Sequence, residues 1–462
     1  MYYRIIYVLA IAFIMQSCTW WENRNNPYMD KEITFSEQIG PIIHKNCTPC
    51  HRPGEAGPFQ LITYRNVAKR AKMIKFVTQT KYMPPWPADR NYTHFLDEWG
   101  LTDDEILMIG AWVAQGSPAG DKDKVLYPPV YTEGSMLGMP DMTIKMPIPY
   151  HIKGNNTDQF IIAKFPYELE RDTFVSAIEF SPDNRRLLHH VNGHIVQYDP
   201  GMKSNLNGGK YIIKYDRSIP RHLLYLELDI LNDDGTYPYL TSSIVNYLPG
   251  SVNTQYPEGI GGIRLKKKGF FLFKDIHYGP TPIDDIDQSS INIFFSDKPP
   301  VRPVREVLLG TLGATKVEPP LLIPANTVQS FKTVWEVPYD LSILTVNPHM
   351  HLLGKSMKAF AIDPIGDTIK LIYIPEWNFR WQFFYTFPYM VKVPEGSTIF
   401  VYATFDNTED NPENPFHPPR LIRERQGSMG TTDEMFQFII TYLPYKTGDE
   451  KISLDPKTEA NL

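Results

Sequence analysis

The plainest chemistry in the chain lies in Cys47-Thr48-Pro49-Cys50-His51, two cysteines two residues apart with a histidine directly after. That spacing is what covalent attachment of haem c needs. Two thiols reach the vinyl groups, and the adjacent imidazole reaches the iron. The cysteine pair alone would also serve as a redox dithiol or half of a zinc site. The neighbouring His51, an export-like N-terminus and a helix leading into the motif favour haem. A sixth iron ligand is expected from Met83, in Lys81-Tyr82-Met83-Pro84-Pro85-Trp86, where two prolines stiffen the loop. A thioether in that place raises the iron potential. His94 is the rival, whereas Met73 and Met108 sit at helical positions and are expected in the core.

Histidines form the second group. His189 and His190 are adjacent in Leu187-Leu188-His189-His190-Val191-Asn192-Gly193-His194; His277 sits in Asp275-Ile276-His277-Tyr278-Gly279. His349-Met350-His351 follows, and Asp433-Glu434-Met435 lies near the end. On a strand, residues two apart share a face, so His349 and His351 can grip one ion while Met350 points away. His189 and His190 would point to opposite faces, and need a twist, a bulge or a strand end to converge. Imidazole suits zinc, copper, iron and nickel, and a thioether favours Cu(I). Spacing leaves zinc and copper both open, and each pair read alone is equally a set of satisfied structural histidines.

These pieces, in this order, resemble the copper type II, ascorbate-dependent monooxygenases, the family of the peptidylglycine α-hydroxylating and dopamine β-monooxygenases. The resemblance covers about residues 140 to 446. It rests on the His-His pair, His-Tyr-Gly, His-x-His-Leu-Leu-Gly-Lys and Asp-Glu-Met. Tyr247-Leu248-Pro249-Gly250, Asp287-Gln288-Ser289 and Trp377-Asn378-Phe379-Arg380-Trp381-Gln382 look like segments of bacterial members, some of which carry a cytochrome c unit upstream. The resemblance implies two copper ions. His189, His190 and His277 would hold the electron-transfer copper; His349, His351 and Met435 would hold the oxygen-activating one. His194 matches no ligand of the family. The reaction implied is insertion of one oxygen atom from O2 into a C–H bond of a small molecule, with the other atom reduced to water.

Two departures bear on the substrate. Where the peptidylglycine enzymes place an arginine two residues before the paired histidines, this chain has Asn347. Where they place Asn and Tyr after the methionine, it has Gln437 and Ile439. The carboxylate clamp is absent, so the chemistry carries over and the substrate does not. Electrons are expected to pass from a donor, either a small reductant or a redox protein, to the haem, then to the first copper and the second. The competing reading is a non-catalytic electron-transfer or copper-binding lipoprotein. A zinc hydrolase is disfavoured, because no His-Glu-x-x-His type of general base accompanies the histidines.

These side chains need elements to hold them. Apolar spacing predicts helices over Phe35 to Cys47, over Tyr64 to about Thr80, and from Thr102, where Asp103, Asp104 and Glu105 suit the positive end of the dipole. Beyond Tyr127 the chain turns to short β-type runs such as Gln159–Ala163, Ile291–Phe295 and Thr398–Tyr402, separated by Pro, Gly, Asn and Asp. The expected class is therefore multidomain: a small all-α cytochrome c domain over 31–121, then two all-β, jelly-roll-like sandwiches over 122–300 and 301–450. Their seam is expected at the Pro-rich Lys298–Pro303. A tail over 451–462 completes the chain.

Composition fits: 41 prolines, 27 tyrosines and 25 phenylalanines favour short strands and many loops. A formal net charge of −6 without a basic run excludes a nucleic-acid partner. The apolar run Ile5–Met15 is too short for a bilayer core, which needs about 20 residues. With Arg4 before it and Ser17-Cys18 after it, residues 1–17 resemble a lipoprotein signal, with Cys18 lipidated and 18–30 a linker. Export to the periplasm, the outer membrane or the cell surface follows, with membrane attachment through that lipid. The three cysteines are then all committed, and no disulfide is expected.

Overall fold

The computed structural model describes residues 26–96, 98–121, 123–124, 135, 137–214, 220–241, 245–247, 256–257, 259–296, 298–424 and 432–455. Cys18 and the expected signal, like Leu248–Gly250 and the last residues of the tail, lie outside them. Two compact units emerge, one drawn from Met1–Trp86 and Trp99–Tyr131, the other from Pro87–Glu98 and Thr132–Leu462.

The first unit carries α1 (Gly40–Asn46), α2 (Tyr64–Ala68), α3 (Ala71–Gln79) and α4 (Asp103–Ala114), with a π-helical turn over Phe35–Ile39 before α1. The expected helix from Thr102 forms as its cap dictates. The Thr102 hydroxyl accepts from the Glu105 N–H, and the Glu105 carboxylate accepts from Thr102 in return. Buried Ile39, Ile43, Val67, Ile74, Ile109 and Trp112 make one apolar cluster. The expected helix from Tyr64 to Thr80 breaks at Lys69–Arg70 into two short pieces. Met73, expected in the core, is 53% exposed on α3 beside the buried Ile74.

The expected fold class is corrected here. Among the described residues the chain is mostly β, 36% strand against 12% helix, with small antiparallel sheets and no all-α cytochrome domain. The α-helices among the described residues are five, and none exceeds 12 residues. The physical reason is visible in the sequence. Pro49, Pro53, Pro58, Pro84 and Pro85 stand in the stretches between the short helices of the first unit, where a helix cannot continue through them, so most of its chain is irregular. Nor do the strands merge into two large sandwiches. They divide among sheets of four, six, two, four, five and two strands.

Seven strands position the site. In the six-stranded sheet, β1 (Gln159–Glu168), β2 (Leu188–Gln197) and β3 (Lys268–Tyr278) run antiparallel with β3 in the middle. Beneath them Phe273 packs on Phe165 and Phe180 at ring-centre distances of 5.0 and 5.1 Å. Further along come β4 (Leu341–His349), β5 (Thr368–Ile374), β6 (Tyr385–Val393) and β7 (Gln437–Pro444). β4 lies between β6 and β7 in a four-stranded sheet whose edge is β6; β5 is the edge of the five-stranded sheet.

The Pro-rich stretch Lys298–Pro303 falls inside the second unit. Arg302 exchanges backbone hydrogen bonds with Gly259 and Gly261 at 3.0 Å each, while its guanidinium grips Asp449 at 2.6 and 2.8 Å. Among the described residues no helix is long and apolar enough to cross a membrane.

Candidate metal centre

β2 and β3 bring the first three histidines together. His190 stands opposite His277, but the next pair is Leu188 with Tyr278, so His189 is an extra residue in a β-bulge. The bulge supplies the irregularity that two adjacent histidines need in order to face one point. One ring nitrogen of each lies within 4.8 Å of one of each of the others. The His190 Nδ1 is 3.4 Å from the Nδ1 of His189 and 3.4 Å from that of His277.

The outer nitrogens are engaged. His190 Nε2–H donates to Asp275 at 2.9 Å, and His277 Nε2–H donates to Asp158 at 2.7 Å. Phe160 stacks on the His277 ring at 4.2 Å between centres. Burial pushes His277 below its ordinary value, and pushes His189 down to about 3 with help from His277 and His190. The bond from His277 holds the Asp158 carboxyl below the usual range. Burial thus favours the neutral form of His189 and His277, and the carboxylate form of Asp158 backs His277. With the Nε2 protons committed outward, the Nδ1 lone pairs of His190 and His277 face each other, an apposition that a shared cation relieves.

The second group sits where β4 ends. His349 pairs with Gln437, the first residue of β7, so Met435 lies two residues beyond that pairing. The strand ends at His349, so Met350, fully buried, and His351 lie beyond it rather than alternating along it. The His349 and His351 rings stand 5.1 Å apart at 89°. His349 Nδ1–H donates to the Gln382 side chain, and His351 Nδ1–H donates to the Asp433 carbonyl at 2.8 Å. These bonds place the proton of each ring on Nδ1 and so make Nε2 the basic nitrogen. Glu434, buried, accepts the backbone N–H groups of His351 at 3.0 Å and Leu353 at 2.6 Å. Burial pushes its carboxyl up to about 8 against those bonds. Glu434 thus ties the His351 turn to the segment bearing Met435.

In the first unit, Cys47 closes α1, and the chain turns so that His51 N–H donates to the Cys47 carbonyl at 2.9 Å. His51 Nδ1–H donates to the Phe59 carbonyl at 2.9 Å, leaving Nε2 as the free nitrogen. Gly57 packs so closely that a Cβ there would stand 2.6 Å from the Cys50 oxygen and 2.7 Å from His51 Nδ1. Burial pushes both thiols up to about 12. Two thiols with an adjacent imidazole whose Nδ1–H is held by the Phe59 carbonyl make a donor set that fits covalent haem attachment. Met83, half-buried, follows α3 with its N–H on the Val77 carbonyl at 3.0 Å. His94 instead belongs to the second unit, where it is exposed and pairs with Glu98. Met108 packs against the helical core.

His194 stands apart from the first cluster, bonded to the Thr241 carbonyl at 3.0 Å. Asn347 is buried with its amide on the Phe383 carbonyl at 2.9 Å, and the Gln437 amide is on the Thr311 carbonyl at 2.8 Å. Sequence reasoning missed Asp158, Asp275, Gln382, Glu434 and Gly57. Asp275 and Glu434 neighbour named ligands and were findable; Asp158 is 119 residues from its partner and carries no local signal.

No protein-family model matches the chain. No curated protein matches it either. Among solved structures, it is similar to one described as the structure of infectious bursal disease virus Gx strain, at 12% identity over 70% of this chain and 82% of that one. The TM-score is 0.15, too low for a common fold.

Proposed function

We propose that this chain is an exported haem- and copper-dependent oxidoreductase that uses O2 to hydroxylate a C–H bond of a small molecule. The carrying observation is the convergence of His189, His190 and His277 through Nδ1, with two of their Nε2 protons committed to Asp275 and Asp158. His189, His190 and His277 would hold one copper through Nδ1. His349 and His351 would hold the other through Nε2, with Met435 as the soft third donor. Cys47 and Cys50 would carry haem c, with His51 on its iron and Met83 the sixth ligand. When bound, these groups supply one-electron transfer and activation of dioxygen.

The residues of the chain do the positioning. Asp158 and Asp275 keep protons on the outer nitrogens and lone pairs inward. Gln382 and the Asp433 carbonyl fix the His349 and His351 tautomers. Asn347 is uncharged and occupied, which disfavours a substrate anchored there by a carboxylate. Lipidation at Cys18 would hold the protein at the periplasmic or outer surface, where a small reductant or a redox protein donates electrons.

Metal analysis of the purified protein, paired with oxygen uptake across small amines, aromatics and lipids, tests this. Two coppers per haem and substrate-dependent uptake are expected. Zinc alone, or no metal, overturns it in favour of an electron carrier or docking module.

A further inference from the structure

We infer that the segment Pro87–Glu98 is a strap that positions the His349–His351–Met435 site, an inference that rests on the metal reading of that site given above. The segment comes from the middle of the first unit's sequence, between Trp86 and Trp99, yet it belongs to the second unit. Two of its N–H groups reach sheet edges. Asp89 N–H donates to the Tyr373 carbonyl on β5 at 2.8 Å, and Leu96 N–H donates to the Thr386 carbonyl on β6 at 2.7 Å. β5 and β6 are the edge strands of two different sheets, and the strap covers both.

Side chains deepen the attachment. Phe95, 5% exposed, lies 5.0 Å from the Tyr385 ring and 5.1 Å from the Phe387 ring. Tyr92 meets Tyr373 edge-on at 5.9 Å, with Lys358 and Lys370 over its face at 5.1 and 5.3 Å. Glu98 braces the strap from within, accepting the Phe95 N–H at 2.9 Å and pairing with Arg90 at 3.4 Å.

What lies between β5 and β6 gives the strap its role. The loop 375–384 runs from one edge to the other, and it carries the groups that hold the histidines. Gln382 accepts from His349, Trp377 Nε1–H donates to the His351 carbonyl at 3.2 Å, and Phe379 stands 5.8 Å from the His351 ring. The Phe383 carbonyl holds Asn347, two residues before His349. Tyr373 and Thr386, the strap's two anchor points, flank this loop on either side. Fixing both ends of a loop removes most of its freedom, so the strap sets where Gln382 meets His349.

Ring-nitrogen NMR of the metal-free full chain, labelled in histidine, tests this. In the parent protein His349 should show one tautomer with its proton on Nδ1. In Phe95→Ala, His349 should move to a mixture with Nε2–H well populated, while His189, His190 and His277 stay unchanged. Phe95→Leu should restore most of the parent signal, and Tyr92→Ser should give a smaller shift of the same sign. Should Phe95→Ala fail to fold, Tyr92→Ser decides. Unchanged His349 and His351 signals, or an equal shift at all the histidines, overturns the inference. Because the spectra need no metal, failure of copper to bind the parent protein would sink the proposed function and leave this measurement decisive.

Discussion

His190 and His277 face each other from neighbouring strands with their Nδ1 atoms 3.4 Å apart, each turned inward by a carboxylate on its far nitrogen. Two lone pairs so placed make a poor contact and a good chelate. The metal affinity of this cluster should therefore depend on residues that never touch the ion.

Asp275→Asn and Asp158→Asn should each weaken copper binding at the three-histidine cluster by about 10- to 100-fold, because an amide no longer fixes the ring or raises its basicity. Competition titration against a chelator reads this directly. Equal affinity in parent and variants would show that the carboxylates are bystanders.

Glu434 accepts two backbone N–H groups in a fully enclosed place. Glu434→Ala leaves both donors unsatisfied at about 1–3 kcal/mol each, so a loss of roughly 2–6 kcal/mol in urea unfolding is expected. Glu434→Gln keeps one acceptor oxygen and should lose less. A loss no greater than that of an exposed substitution contradicts this role.

Burial holds Cys47 and Cys50 up to about 12, so in the haem-free chain they should alkylate slowly at pH 8. An unperturbed thiol near 8.5 carries on the order of 1,000-fold more thiolate at that pH. Iodoacetamide kinetics followed by mass spectrometry measure the rate. Thiols reacting faster than free cysteine would point back to a redox dithiol.

Burial alone would raise Asp449, but Arg302, Ser342 and the Lys446 N–H outweigh it and hold the carboxyl at about 2. A value depressed in the folded state stabilises the fold above the unfolded value near 4, and that gain fades as pH falls toward 2. It amounts to about 2 kcal/mol. Acid unfolding should be most sensitive to this pair between pH 4 and pH 2, and Asp449→Asn should flatten that stretch of the curve. A parent-like slope in the variant would remove Asp449 from the acid transition.

Residue type was enough to single out His189, His190 and His277, which the structure brings together, because the histidines of such a cluster are legible one by one in the sequence. The pair His189 and His190 even demanded an irregular strand, and the bulge at His189 meets the demand. The cap at Thr102 and Glu105 was equally readable. The class was not, because the helical periodicity in the first unit is real but cut short by its prolines. How strands divide among sheets depends on pairings far apart in sequence, such as Met142 with Ile293 and Arg305 with Tyr442. Asp158 and the strap belong to that same non-local part: nothing near Asp158 names His277, and nothing near Phe95 names Tyr385. Met73 misled because helical spacing alone does not say which face a neighbour covers.

The strap has a practical consequence for anyone dividing this gene. The chain passes between its two compact units at Trp86, at Trp99 and again near residue 131, so no single cut separates them. A truncation at residue 121 would discard Phe95 and Tyr92 along with Cys47–His51, and would uncover β5 at Tyr373 and β6 at Thr386, exposing strand edge that templates aggregation. An expression design that grafts residues 87–98 back onto the β unit should stay soluble where the plain truncation precipitates.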